Sequence, residues 1–229
     1  MKKTVVIHQP DFLPHLAFLH RLLAVDLWIV LDHVQFSRGG WVNRDRIKTP
    51  QGAAWLTVGV AKAPLDTAIR DVALADDGWR RKNLDLLRQN YRDAPCFREV
   101  FPSLEALYAE DCGSLLEFNL KSIDLLLAAF GLRVPRVLSS ELGGTGTKNE
   151  LLVALLRRAG ATRYLSGPGA RAYYRPEPFR DAGIEVLWQS FEHPSYPQLH
   201  GQFISYLSSI DLLLNCGPAR AREILRSCA

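Results

Sequence analysis

Several features are scarce in this chain of 229 residues. Its four cysteines, Cys96, Cys112, Cys216 and Cys228, never stand as CxxC and never pair with histidine at zinc-ligand spacing. No metal site is expected, and the thiols read as the reduced cysteines of a cytosolic protein. No apolar run reaches membrane-spanning length. The apolar run in the opening MKKTVVIHQPD is far too short for a signal peptide. A soluble, cytoplasmic protein with no membrane partner is therefore expected. There is no GxSxG, HExxH or protein-kinase signature, no internal repeat and no low-complexity segment. GGTGTKNE (143–150) fails as a P-loop, because Thr147 rather than glycine precedes Lys148 and Asn149 follows it. What survives is either a helix N-terminus able to face an anion or a plain glycine-rich loop with a threonine cap. Charge of one sign is also scarce: 28 Lys and Arg against 24 Asp and Glu leave +4. The basic excess is densest at Arg38, Arg44, Arg46 and Lys48. That suits an anionic small molecule better than a nucleic-acid duplex.

What is present is an alternation. TVVIH (4–8), LWIVLD (27–32), VPRVLSS (134–140), RYLSG (163–167) and IEVLWQSF (184–191) read as strands. AAWLTVGV (53–60) reads as a further strand in an edge or hairpin position. Helical spacing covers 13–25, 148–160 and roughly 202–214, with two helical stretches inside 77–131 and Gly131 as a stop. A strand, helix and strand at the start form a βαβ unit, which forces parallel pairing. The expectation is a single α/β domain over 1–229, a Rossmann-like, mostly parallel sheet with flanking helices and 77–131 as a helical insertion or lobe.

Ligands in such sheets bind at the carboxyl ends of strands. The first strand stops at His8-Gln9-Pro10, the second at Asp32-His33-Val34-Gln35, the later ones at Ser166-Gly167 and Gln189. His8 reads as a general acid or base, or as an imidazole capping the strand end. Pro10 and Pro14 stiffen the loop behind it. Asp32 orients that imidazole, binds a hydroxyl or amine, or forms a turn. In the basic segment 37–49, Arg44, Arg46 and Lys48 alternate and share one face of an extended strand, with Asn43 beside them. That is the geometry of a phosphate or carboxylate clamp, with Trp41 or Tyr173 as stacking partner for a base or sugar. The alternative is a solvated loop. HPSYPQLHG (193–201) adds Tyr196 and Gln198 as substrate-binding candidates. Asp211 and Asn215, four apart on one helix face, read as structural.

HQPDFLP (8–14), DHVQF (32–36), WVNRDRIKT (41–49), WLTV (55–58), YLSGPGARAYY (164–174) and SYPQLHGQFISYLSSIDLLLNCG (195–217) together resemble the WbqC-like family, over nearly the whole chain. The chain departs from that pattern at His15 and Ala17, at His33 where a second acid is usual, and at Gly59 where proline is usual. PHLAFLH also has a fold-level similarity to the HxGH region of nucleotidylyltransferases, without its second histidine. The family resemblance implies bacterial surface-polysaccharide (O-antigen) biosynthesis and, for some members, glycine transfer onto an amino sugar. The resulting expectation is an acyl or aminoacyl (glycyl) transferase acting on the amino group of a nucleotide-linked sugar. His8 is its base, Asp32 the orienting partner, Gln9 and Gln35 amide donors, and Arg44, Arg46 and Lys48 the diphosphate clamp. The sequence identifies no cofactor. An acyl-CoA, an adenylate and an aminoacyl-tRNA all remain as donors, and the oligomeric state is open. The alternatives are a nucleotidyl transferase or ATP-dependent ligase, and a non-catalytic nucleotide-sugar-binding protein.

Overall fold

The computed structural model describes residues 2–76 and 78–228. Met1, Ala229 and Asp77, the first residue of the expected insertion, lie outside them. The first apolar run forms β1 (Thr4–His8), the second β2 (Leu27–Val30), parallel and in register with His8 opposite Val30. Helix α1 (Leu16–Leu23) joins them. It starts later than the 13–25 expected, because Leu13 has a φ of 40° and His15 is extended. The hairpin β3 (Arg44–Thr49) and β4 (Gly52–Thr57) forms a two-stranded antiparallel sheet of its own.

Residues 78–130 carry α2 (Gly78–Tyr91), α3 (Phe97–Ala109) and α4 (Leu115–Phe130). Ser114 Oγ caps α4 by accepting from Glu117 N–H at 3.1 Å, and Gly131 ends it with a φ of 63°. There follow β5 (Arg136–Leu138), α5 (Ser139–Leu142), α6 (Lys148–Arg158), β6 (Arg163–Ser166), α7 (Pro176–Asp181), β7 (Glu185–Trp188) and α8 (Ser209–Arg226). The expected helix over 202–214 instead begins at Ser209 and runs on to Arg226, broken at Gly217 (φ 75°) before Pro218.

The main sheet has five strands in the order β5-β2-β1-β6-β7, all parallel. Alternate side chains face opposite ways. Val6, Trp28 and Val30 join a large core with α1, α4 and α8, and that same core holds Leu104 of α3 and Phe118 of α4. Val5, Ile7 and Ile29 pack with Leu155 and Leu156 of α6 and Phe179 of α7. Helices thus cover both faces of a parallel sheet, a Rossmann-like α/β arrangement. The chain moves outward from β1 to β2 and β5, then returns to lay β6 on the other side of β1. The order therefore reverses between β1 and β6, where the carboxyl ends of such strands leave a crevice.

Candidate functional site

Beyond His8 the chain goes inward. Residues 10–14 are buried, and a buried loop has to satisfy its peptide groups. Pro10 and Pro14 bring no N–H, which removes two of the donors. Asp11 N–H donates to Gln9 O, Phe12 N–H to Trp41 O and Leu13 N–H to Ser122 Oγ. Asn119 Nδ2 donates to Pro10 O at 2.7 Å and to Val42 O at 2.6 Å. Ser208 Oγ donates to Leu13 O, and Ser209 Oγ to Pro14 O, each at 2.6 Å. Phe12 stacks on Phe118 of α4. The loop is thus held between α4 and the start of α8, and it delivers His8 and Asp11 to one cleft.

That cleft, about 660 Å³, lies at the β1/β6 reversal. His8 Nδ1 is 2.9 Å from Gln9 O. A carbonyl only accepts, so Nδ1 carries the proton and Nε2 keeps its lone pair. Burial, then the Arg21 charge, outweighs that hydrogen bond and pulls the imidazole down to about 3, although 28% of the side chain meets the cleft. Asp11 Oδ2 lies 3.6 Å from the same Nδ1. Burial pushes the Asp11 carboxyl up to about 7, against the pull of Arg21. Ala17 and Arg21, four apart on α1, both line the cleft. Arg21 is 8% exposed and donates from Nη1 to Gln189 Oε1 at 3.0 Å. Gln189 Nε2 in turn donates to Ala17 O at 2.8 Å. On the rim, the His15 ring stands edge-on to Trp41 at 5.8 Å and to Tyr206 at 5.7 Å. Burial, then Arg21, pulls His15 down to about 4. Among the described residues no group of three or more His, Cys, Asp or Glu could hold a metal ion. The cleft offers neutral imidazoles, a carboxyl titrating near neutrality and a buried guanidinium, a set suited to moving protons and holding an oxyanion.

Of the residues expected at the site, His8, Gln9, Trp41, Ser166, Gly167, Tyr173 and Gln189 line this cleft. The others do not. Asp32 sits at the neighbouring strand end but is not the acid paired with His8. Fully buried, it accepts from Ser139 Oγ at 2.8 Å, Ser140 N–H at 2.9 Å and Ser140 Oγ at 2.6 Å. Burial acts to raise its pKa, but these hydrogen bonds outweigh burial and hold the carboxyl below its ordinary value. It is a brace between β2 and α5.

Lys48 shares a strand face with Arg44 and Arg46 but is 1% exposed. Its Nζ donates to Gly201 O at 3.2 Å and Gln202 O at 2.6 Å, so it is no part of an open clamp. The Arg44 guanidinium lies over Trp55 at 3.9 Å, and Arg46 donates to Tyr206 O at 3.2 Å behind the rim. Asn43 is buried and serves its turn by accepting from Gly39 N–H at 2.9 Å. Gln35 donates to Leu65 O at the exposed surface. Tyr196 and Gln198 donate to the buried Asp211 at 3.0 and 2.8 Å, joined by Tyr91 at 2.7 Å, which makes Asp211 the structural hub its position among leucines suggests.

Asp11, His15, Arg21 and Tyr206, none of them among the residues expected at the site, also line the cleft. Asp11 stands in the same HQPDFLP run as His8, and the Ala17–Arg21 spacing on an otherwise leucine-faced helix is the other available signal.

The crevice between β1 and β6 is built from the HQPD run, the Trp41 segment, the SGPGARAYY run and the residues before α8, so it draws on segments spread along the chain. Comparison with known proteins reaches equally far. The WbqC-like protein family matches residues 9–223. The Mycobacterium tuberculosis (strain ATCC 25618 / H37Rv) protein named "Uncharacterized protein Rv1507c" is 32% identical over 231 residues, covering 100% of this chain and 99% of the relative. No solved structure matches significantly. With the match running from the loop after β1 into the last helix, this chain belongs to the WbqC-like protein family.

Proposed function

We propose that the protein is an acyl or aminoacyl transferase, glycyl transfer included, that acts on the amino group of a nucleotide-linked sugar in surface-glycan (O-antigen) biosynthesis. The observation that carries this reading is the Asp11–His8 pair in the β1/β6 cleft. One carboxyl is raised to about 7 beside an imidazole kept neutral with a free Nε2 lone pair. Acyl transfer to an amine forms one C–N bond, expels the leaving group with its electron pair and releases the attacking amine's proton. Ionised Asp11 takes that proton, and His8 Nε2 accepts a hydrogen bond from the amine and orients it. Gln9 and the Ser166–Gly167 turn supply donors for the developing oxyanion. Trp41 and Tyr206 give a base or sugar an aromatic rim.

In this reading Asp11 takes the role of base that the sequence suggested for His8, His8 becomes the orienting acceptor, and Asp32 drops out of the site. The test is incubation with nucleotide-linked amino sugars and, separately, acyl-CoA, amino acid plus ATP, and aminoacyl-tRNA, with the sugar product weighed by mass spectrometry. A mass gain equal to the acyl group on the amine supports the reading. Pyrophosphate release with a nucleotidylated product would establish the nucleotidyl-transfer alternative in its place. Ligand-induced stabilisation with no turnover by any donor would leave a binding protein.

A further inference from the structure

Arg21 is a buried cation in no direct ion pair, although it feels the charge of Asp11 across the cleft. It is 8% exposed, yet among the described residues no carboxylate lies within ion-pair distance, and its hydrogen-bond partner is the neutral amide of Gln189 at 3.0 Å. Its remaining N–H groups have no protein acceptor and are not sealed from solvent, so they open on the cleft. A buried guanidinium left this way is costly unless an anion completes it.

A second, independent observation lies opposite. Gly167 has a φ of −75° and ψ of 153°, a conformation any residue adopts. Glycine is therefore not needed there for the backbone. A Cβ on it would sit 2.6 Å from Arg21 Nη1, closer than contact allows. A side chain here would displace the end of the Arg21 side chain, so glycine leaves the guanidinium room to reach the end of β6. Ser166 and Gly169 line the same patch of the cleft.

We infer that Arg21, reaching past Gly167 to the end of β6, forms an oxyanion subsite that takes a phosphate or carboxylate group of the bound ligand. Guanidinium N–H pairs match either oxyanion in geometry. The inference concerns binding alone and stands apart from the transfer reaction proposed above.

The test titrates the full-length protein with sodium pyrophosphate, with UMP and with sodium acetate, at fixed ionic strength, by calorimetry and thermal shift. Saturable binding of pyrophosphate or UMP identifies a phosphate site, and binding of acetate alone a carboxylate site. Gly167→Ala keeps the charge and the backbone but pushes the guanidinium aside, and should weaken the active probe at least about 10-fold. Arg21→Lys keeps the charge without the fork and should weaken it similarly. Far-ultraviolet circular dichroism of each variant confirms that it is folded. Absence of saturable binding by all three probes, or equal affinity in wild type and a folded Gly167→Ala protein, would overturn the subsite.

Discussion

Asn119 offers a quantitative test of how the site loop is held. It is fully buried, and its two Nδ2 hydrogens go to Pro10 O at 2.7 Å and Val42 O at 2.6 Å, one on the His8 loop and one beside Trp41. Asn119→Leu keeps most of the volume and removes both donors. Each buried carbonyl left unpaired costs about 1–3 kcal/mol, so the loss is about 2–6 kcal/mol. Against this, Asn119 Oδ1 is itself buried without a partner, and deleting it returns about 1–3 kcal/mol. The difference is a destabilisation of about 1–3 kcal/mol, read as a lower urea midpoint at unchanged slope. The same substitution frees Pro10 and Trp41 relative to each other, so ligand affinity falls as well. A folded variant within about 0.5 kcal/mol of wild type would mean that the loop is held by its apolar contacts, and that the hydrogen-bond argument is wrong.

Three further outcomes are expected. Because the Asp11 carboxyl is raised in the fold, its contribution to stability is complete below about 3.8 and disappears as pH rises through about 7. Asp11→Asn should therefore flatten the decline in unfolding free energy across that window. It should also abolish the near-neutral limb of the rate profile at a cost of roughly 10²–10⁴-fold, whereas His8→Gln should keep the limb; the reverse pattern would restore His8 as the base. Asp32→Ala should cost about 2–4 kcal/mol of stability by stranding Ser139 and Ser140, with ligand affinity unchanged in the folded fraction; a stable variant with specifically impaired affinity would contradict the bracing role. Lys48→Met should destabilise by about 1–3 kcal/mol through the carbonyls of Gly201 and Gln202 while anion affinity measured by calorimetry stays put; a selective loss of anion binding would put Lys48 back in a clamp.

The sheet was legible because its strands are short β-branched runs with turn chemistry behind them, and the period of such runs depends on local chain geometry alone. Side-chain destinations were not. Asp32 ends an apolar run as a catalytic acid would, but the serines that occupy it stand 107 and 108 residues downstream. Arg44, Arg46 and Lys48 do share a face, yet alternation does not say how deeply each position is buried, and Lys48 is enclosed by a loop from beyond residue 200. Arg21 lies opposite Leu16, Leu19, Leu22 and Leu23 on α1, where a cation normally meets solvent. In the fold that polar side meets the cleft, because the end of β7 brings Gln189 over it.

The hydrogen bonds from Ser208 and Ser209 to the loop after β1 span 195 residues of sequence. This strand and loop are made well before the serine hydroxyls that donate to them, 195 residues further along the chain. Until α8 begins, Leu13 O and Pro14 O lack those hydroxyl donors, and the loop gains by staying in water. The cleft is thus completed only after a long chain segment has closed on itself, which is its slow step. A nascent chain can hold the β1–α1–β2 unit while the intervening residues are made without having a ligand site at all.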